Sequence, residues 1–498
     1  QVGGPRRFEP RHGPRTRGMD FDEIANSGPP WLKAISDLIA ADEPAKALAA
    51  SKDAFVKCVT GKDAKGKVFA LHVIAKVHLS QCELTDASEI AEKALAELRK
   101  SPDEKLEAAI MHTIAKISRE QYRIQDAMEF AEEAVRMSQR SGSKVGEAAA
   151  LNTIARINLK RSRTQDALKV AKQSLAMFRD CQEKHGEADA LHTVMRANLA
   201  MKRHEDAIRA ANQMIGIYEG GTEADRHALA LLVAVDARAA EEEHDEAVDL
   251  ATKAVELLET VDKRLQAAAT RRLMEACFAK GDDTDGHLYA KEALELYRAE
   301  GHAKGEAAML GEIAHQHFKT GTLQEGILIA EEGVELCRKG GLRQQLANIL
   351  QAMGRARLDQ EAAGGAVEQQ YNWKSRQAAK EALGIYQDIG DLRGQAACHN
   401  TLSMAFMSYG NVLEGRAKAK RAVELSQMMG DKASEGNNLL LVAQSRYHDN
   451  RDEAIRLAGM AQRLIREGGD KDAIKDSQAV VDVIRDDKKK EKAKAKKG

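Results

Sequence analysis

The stretch Leu71–Leu79, "LHVIAKVHL", returns as "MHTIAKISR" from Met111, "LNTIARINL" from Leu151 and "LHTVMRANL" from Leu191. Two things recur in it. An apolar framework repeats, and inside it a His or Asn is followed four residues later by a Lys or Arg. Self-similarity at a fixed period signals a repeat architecture, so the alanine of "VIAK" serves as a ruler. It falls at Ala75, Ala115, Ala155, Met195, Val235, Met274, Ala314, Gly354, Ser403 and Ala443, in steps of 40 or 39 with a single step of 49. Twelve residues after most of these stands a second small-residue ladder, including Ala87, Ala127, Ala167, Ala207, Ala247, Gly286, Gly326 and Gly415.

Each unit therefore reads as two amphipathic helices joined by a short turn. In the unit that begins near Leu71, helix A carries Leu71, Ile74, Ala75 and His78, and helix B carries Ala87, Ile90, Ala91, Ala94 and Leu95. Residues at i, i+3, i+4 and i+7 share one helical face, and small side chains there let neighbouring helices approach closely. Several units end in Gly-Asp, at Gly390-Asp391, Gly430-Asp431 and Gly469-Asp470, where glycine can take the left-handed conformation that stops a helix.

The spacing Leu71-x2-Ile74-Ala75-x2-His78 followed by Ala87-x3-Ala91-x2-Ala94 resembles the tetratricopeptide repeat (TPR), whose framework is W-x2-L-G-x2-Y followed by A-x3-F-x2-A. The likeness extends from about Trp31 to Asp470 and is greatest to the forty-residue variety of G-protein-modulator and kinesin-light-chain-like scaffolds. Alanine replaces most of the helix A glycines and many helix B aromatics, and the closing proline is absent. The resemblance implies an all-α, right-handed superhelical solenoid of about eleven helix-turn-helix repeats over 29–470, with an insertion near 360–370. A capping helix is expected over 471–487, and disordered segments over 1–28 (Arg-rich) and 488–498 (Lys-rich).

In the resembled family the fifth and ninth positions of helix A line the concave groove. Here these are His72 and Lys76, His112 and Lys116, Asn152 and Arg156, His192 and Arg196. Residues four apart share a helical face. With helices about 8–10 Å apart, four such pairs make a strip of about 30 Å, the length of an extended peptide of about nine residues. Cations along it would hold carboxylates, and the His and Asn side chains would clamp a peptide backbone. Lys and Arg equally suit an exposed helix face copied by duplication. The change of sign at Asp236 and Glu275, where the ninth position turns acidic, argues against a uniformly solvated face.

The nine extra residues of the 49-residue step fall in "LDQEAAGGAVEQQYNWKSRQ", read as a loop broken at Gly364-Gly365. Tyr371 and Trp373 follow it as a possible second contact, or as residues packed on the next helix.

Charge and composition narrow the function. The net charge of -1 hides five Arg against one Glu in residues 1–18 and seven Lys against one Glu in residues 488–498, so the body between is acidic and unsuited to wrapping nucleic acid. Only the Lys tail suits nucleic acid or an anionic surface. Six cysteines lie far apart without a CxxC pair, which fits free thiols in a reducing, cytoplasmic setting. The longest apolar run, Ala228–Val235, is eight residues, too short for a transmembrane helix. "GKDAKGKV" at Gly61–Val68 mimics a phosphate loop but has Val68 where a Ser or Thr must bind magnesium. No metal, cofactor, small-molecule substrate or catalytic constellation is expected. Taken together these features imply a non-enzymatic scaffold that holds protein partners with acidic segments. The alternative is an architectural subunit of a cytoskeletal, ciliary or ribonucleoprotein assembly, tethered by its basic ends. A nucleic-acid-binding helical repeat is a third reading, disfavoured by the acidic body.

Overall fold

The computed structural model describes residues 29–40, 44–81, 83–100, 102–161, 163–221, 223–364, 368–447 and 449–468, together with 477, 478 and 482. Among the described residues all regular structure is α-helical. The expected terminal segments 1–28 and 488–498, and the capping helix over 471–487 apart from residues 477, 478 and 482, lie outside the described residues.

The chain divides between Gly305 and Glu306 into two compact units. The N-terminal unit contains α1 (Pro30–Ala40), α2 (Pro44–Thr60), α3 (Ala64–Ser80), α4 (Leu84–Leu98), α5 (Glu104–Glu120), α6 (Ile124–Arg140) and α7 (Lys144–Lys160). It continues with α8 (Thr164–Asp180), α9 (Lys184–Ala200), α10 (His204–Tyr218), α11 (Ala224–Ala240), α12 (His244–Leu258), α13 (Lys263–Lys280) and α14 (Asp283–Ala299). At the boundary begins α15 (Ala303–Thr320), and the C-terminal unit follows with α16 (Leu323–Gly340), α17 (Arg343–Gly364), α18 (Glu368–Ile389) and α19 (Leu392–Ser408). It is completed by α20 (Val412–Met429), α21 (Lys432–Arg446) and α22 (Arg451–Gly468).

The two alanine ladders become the packing seams. Ala75, Ala87, Ala91 and Ala94 have no exposed surface, and the same holds for Ala115, Ala127 and Ala131 one period on. An alanine face costs little side-chain entropy and lets the helix axes come close, while Ile110, Ile114 and Ile117 fill the remaining space. Helix starts follow the expected signals. Asp63 accepts a hydrogen bond from the Gly66 amide at 2.8 Å, Asp391 from Gly394 at 3.0 Å and Asp431 from Ser434 at 3.0 Å, each satisfying an orphan amide of a first turn. Gly390 and Gly430 take φ of 76° and 67°, as the Gly-Asp signal requires. The Asp63 cap also places "GKDAKGKV" in a turn between α2 and α3 rather than around a phosphate.

A pairing of aromatic and glycine recurs across the turns. A Cβ on Gly186 would stand 2.2 Å from the Phe178 ring, one on Gly305 2.3 Å from Tyr297, and one on Gly286 2.5 Å from Phe278. In the C-terminal unit Gly394 stands in the same relation to Tyr386, and Gly326 to Phe318, at 2.3 and 2.6 Å. In every case the ring lies eight residues before the glycine and covers the first turn of the following helix, where only a hydrogen leaves room for it.

Both α17 and α18 run 22 residues and take in the described part of the inserted stretch, 358–364 and 368–377, while 365–367 lie outside the described residues. Glu, Ala and Gln on both sides of Gly364-Gly365 are good helix formers, so the insertion lengthens the pair.

His399 on α19 is 7% exposed and its Nδ1 has no hydrogen-bond partner. Burial, with Lys418 and Arg421 nearby and Glu424 opposing them, pushes its pKa down to about 4. An unfolded histidine titrates near 6.5, so the folded unit binds fewer protons than the unfolded chain between these values. The contribution of this group is thus fully present above about pH 6.5 and is lost as pH falls toward 4, about 3 kcal/mol at most. Urea midpoints measured from pH 7.5 to pH 4.5 should fall less steeply in His399→Leu than in the wild type; parallel slopes would remove His399 as the sensor.

Candidate functional site

The A-type helices of the N-terminal unit lie side by side: α3 touches α5, α5 touches α7, and so on through α9 and α11 to α13. The intervening B-type helices each contact the two A helices beside them in sequence. Adjacent A helices meet directly and so form a continuous layer.

The fifth positions serve a different purpose. His72 is 3% exposed and its Nε2 is hydrogen-bonded to Thr113 Oγ1 at 2.8 Å, on the next A helix. His112 Nε2 repeats this with Thr153 Oγ1 at 2.7 Å. At the third step Asn152, also buried, donates to Asp189 Oδ2 at 2.6 Å. These side chains staple one A helix to the next. His192 is half-buried. The signal was present in the quoted stretches: threonine follows the fifth position at Thr113, Thr153 and Thr193.

Among the ninth positions, Lys76 and Lys116 are half-buried. Arg156 is tied down: its Nε donates to Thr193 Oγ1 at 3.1 Å and its Nη2 pairs with Asp189. A carboxylate that serves both Asn152 and Arg156 makes Asp189 the pivot of this step, a role with no counterpart in the sequence reading. Arg196 alone of the four is exposed, and it makes no hydrogen bond or ion pair. Its pKa is lowered, first by desolvation and then by the like charges of Arg156 and Arg119.

The acidic residues of the next two steps are also accounted for. Asp236 and Glu275 both pair with Arg272 on α13, and Glu275 additionally with Arg271 Nε at 3.4 Å. Desolvation raises the Asp236 pKa, Glu275 adds to it, and Arg272 opposes both. Burial alone would disfavour the Arg272 charge, but Glu275 and Asp236 outweigh it and its pKa lies above the usual value. The change of sign along the ninth positions is therefore a neutralised network and not a pattern presented to a ligand. Arg119, Glu120 and Lys160 belong to the same inner surface and were missed: Arg119 pairs with Glu120 at 2.8 Å, and Lys160 stands 3.8 Å from Glu120 and 4.1 Å from the Tyr122 ring centroid.

In the C-terminal unit Trp373 is 55% exposed. Its neighbour Asn372 is buried and donates to the Ala405 carbonyl at 2.9 Å, and Arg376 lies over the rings of Phe406 and Tyr409 at 5.4 and 5.1 Å. The Tyr371 side chain lies outside the described residues.

Other chemistry is sparse. His78, Glu83 and Asp86 bring one possible ligand atom each within 4.8 Å of one another, and the His78 Nδ1 to Glu83 Oε2 hydrogen bond at 2.7 Å accounts for the closest pair. The five described cysteines, Cys58, Cys181, Cys277, Cys337 and Cys398, are unpaired. Burial pushes the Cys337 and Cys398 thiols up to about 12 and Cys277 to about 11, which suppresses thiolate reactivity. Among the described residues no helix is long and apolar enough to cross a membrane.

Residues 106–180 match the family model described as tetratricopeptide repeat, a stretch that runs from α5 to α8. No curated protein matches it. Solved structures similar to it include a putative kinesin light chain with nearly identical TPR-like repeats from Podosopora anserina, 16% identical over 42% of this chain and 98% of the other, with a TM-score of 0.34. A Rap protein complexed with competence and sporulation factor is 12% identical over 73% of this chain and 98% of the other, with a TM-score of 0.39. Aspartyl phosphate phosphatase F from Bacillus subtilis is 11% identical over 73% and 94%, with a TM-score of 0.42. Likenesses of this size carry no argument about function.

Proposed function

We propose that the protein is a non-enzymatic interaction scaffold whose inner A-helix surface, from α3 to α9, binds acidic segments of partner proteins. The observation that supports this reading most directly is the line of ninth-position cations, Lys76, Lys116, Arg156 and Arg196, on four neighbouring A helices that touch in sequence. Asp189 pairs with Arg156, and Arg196 is exposed. Peptide carboxylates would meet a surface whose helices are already fixed by the Thr113 and Thr153 staples, so little ordering is required on binding. The unpaired, buried thiols suit a reducing, cytoplasmic setting.

The test uses a fluorescent nonapeptide rich in Glu and its Gln counterpart, titrated by anisotropy at low salt. The combined Lys76→Glu and Lys116→Glu variant should weaken the acidic peptide at least about tenfold, because like-charge contacts replace attraction in a confined site. Its helicity should be unchanged, since half-buried surface lysines contribute little to stability. Equal affinity of the two proteins, or equal binding of the two peptides, removes the acidic-segment reading.

A second reading, an architectural subunit of a larger assembly, is favoured by the outward-facing apolar residues of the C-terminal unit. Trp373, Tyr409 and Leu413 are exposed at 55, 55 and 75%, and Leu328 at 67%. A purified chain that stays monomeric at high concentration would count against it.

A further inference from the structure

The turn between α3 and α4 brings together an imidazole and two carboxylates. His78 stands in the last turn of α3, Glu83 at the cap of α4 and Asp86 in its first turn. The Glu83 amide donates to the His78 carbonyl at 3.0 Å, which fixes the two residues against each other. One possible ligand atom from each of the three lies within 4.8 Å of the other two. The His78 and Glu83 side chains are 14% and 21% exposed. Glu83 makes no cap hydrogen bond and is engaged only through His78 Nδ1, while the Asp86 side chain forms neither a hydrogen bond nor an ion pair among the described residues.

The corresponding positions of later turns show what fits there. Four forty-residue steps on, between α11 and α12, they hold Arg238, Glu243 and Glu246, and Arg238 Nη1 stands 2.6 Å from an oxygen of each carboxylate. A positive charge thus fits between an acid at the cap and an acid in the first turn. Before α6, α8 and α10 the cap is Arg123, Arg163 or Arg203, and a single acid, Asp126, Asp166 or Asp206, follows in the first turn. Before α14 two acids do meet, but Asp282 is spent on the Asp285 amide at 3.1 Å and the third position is the buried thiol of Cys277. Before α4 both acids are present and the guanidinium is replaced by an imidazole. An imidazole nitrogen can give a lone pair to a metal, which a guanidinium cannot.

We propose that His78, Glu83 and Asp86 form a site for a divalent transition cation, zinc(II) in the first instance, held by one imidazole nitrogen and two carboxylate oxygens with water completing the shell. One nitrogen and two oxygens suit a cation of borderline softness, whereas magnesium and calcium select oxygen sets and copper(I) selects sulfur. Zinc bonds of about 2.0–2.2 Å in a tetrahedron put donor atoms about 3.3–3.6 Å apart, so donors within 4.8 Å close on the ion by side-chain rotation. The hydrogen bond between His78 and Glu83 gives way to two bonds to one metal, with neutral imidazole and ionised carboxylate as the ligand forms. The positive end of α4 opposes a cation there and the negative end of α3 favours it. Arg123, on the neighbouring helix pair, reaches Ser88 Oγ at 3.1 Å and is engaged by Asp126. With one ligand on α3 and two at the start of α4, the metal ties the two helices at their turn. This inference is independent of the groove reading.

The experiment uses the full chain with its thiols kept reduced, titrated with cobalt(II) as a spectroscopic stand-in for zinc(II) and followed by visible absorption. One equivalent should bind, with the weak bands of nitrogen and oxygen coordination and without the intense charge-transfer band of a thiolate. Zinc(II) should displace it and raise the thermal midpoint, while magnesium at the same concentration should do neither. His78→Gln, Glu83→Gln and Asp86→Asn should each weaken cobalt binding at least about tenfold, the scale seen even for residues that only orient a metal ligand. His78→Arg, which rebuilds the arrangement around Arg238, should lose the metal and keep the thermal midpoint of the metal-free wild type. Circular dichroism verifies folding. Should His78→Gln unfold, Asp86→Asn decides, because its carboxylate has no partner in the protein to lose. Absence of cobalt binding by the wild type overturns the site. So does an affinity unchanged in Asp86→Asn, or binding that carries a thiolate band and survives in all three variants.

Discussion

Arg272→Met is expected to destabilise the N-terminal unit by about 3–5 kcal/mol, because it strands two carboxylates that share one cation. The Arg272 side chain is 7% exposed, Glu275 11% and Asp236 23%, so water cannot replace the lost partner at either acid. Arg271 reaches Glu275 at 3.4 Å, and Asp236 keeps only the charge of Arg196. The sign of the pH dependence is distinctive. Asp236 is already a weaker acid than usual through desolvation and Glu275, and without Arg272 only the charge of Arg196 opposes them. A carboxylate whose folded pKa is raised binds more protons folded than unfolded, so its variant should regain stability as pH falls and lose it as pH rises through the carboxylate range. Adding Asp236→Asn and Glu275→Gln to Arg272→Met should restore most of the loss, since removing every member of a buried ion network is far milder than removing one. Urea midpoints at pH 5 and pH 7.5 for the three proteins decide the matter. An Arg272→Met midpoint within experimental error of the wild type would mean that the network adds no net stability.

Phe178 and Gly186 give the second large effect. Phe178 is 1% exposed within the cluster that includes Ala148, Leu175, Leu191 and Met214, and its ring occupies the space that a Cβ on Gly186 would need. Phe178→Ala should cost about 3–5 kcal/mol through lost burial and the cavity it leaves. Gly186→Ala should cost about 1–3 kcal/mol by overpacking, since the obstructing atoms belong to a core ring and not to the end of a flexible chain. The two must not add. With Ala at position 178 the obstruction is gone, and Gly186→Ala then gains the helix preference of alanine, about 0.5–1 kcal/mol. Denaturation of the two single variants and the double variant gives the coupling directly. Additive losses would show that the ring and the glycine do not compete for the same space.

The periodic features were legible because they are local. A forty-residue step, alanines on one helical face and a Gly-Asp stop each act within a turn or two of helix, and α3 through α14 and the glycines at 390 and 430 follow them. The aromatic eight residues before a glycine was equally readable, as Phe178 and Gly186 or Tyr386 and Gly394, yet Gly286 and Gly326 were taken only as small seam residues. Composition also exposed the inserted residues, but whether they formed a loop or longer helices depended on flanking helix formers acting together across Gly364-Gly365.

The candidate site was legible in its rows and not in its partners. Sequence position puts Lys76, Lys116, Arg156 and Arg196 at one register of four successive A helices, and those helices touch in sequence. What each side chain does there depended on residues 33 to 41 positions away, brought near only when one A helix lies against the next: Asp189 against Arg156, Thr113 against His72, Arg272 against Asp236. Helical periodicity fixes the direction in which a side chain leaves its own helix. Whether it then meets a carboxylate, a hydroxyl or open solvent is set by the stacking distance between repeats, and this left His72 as a staple and Arg196 exposed.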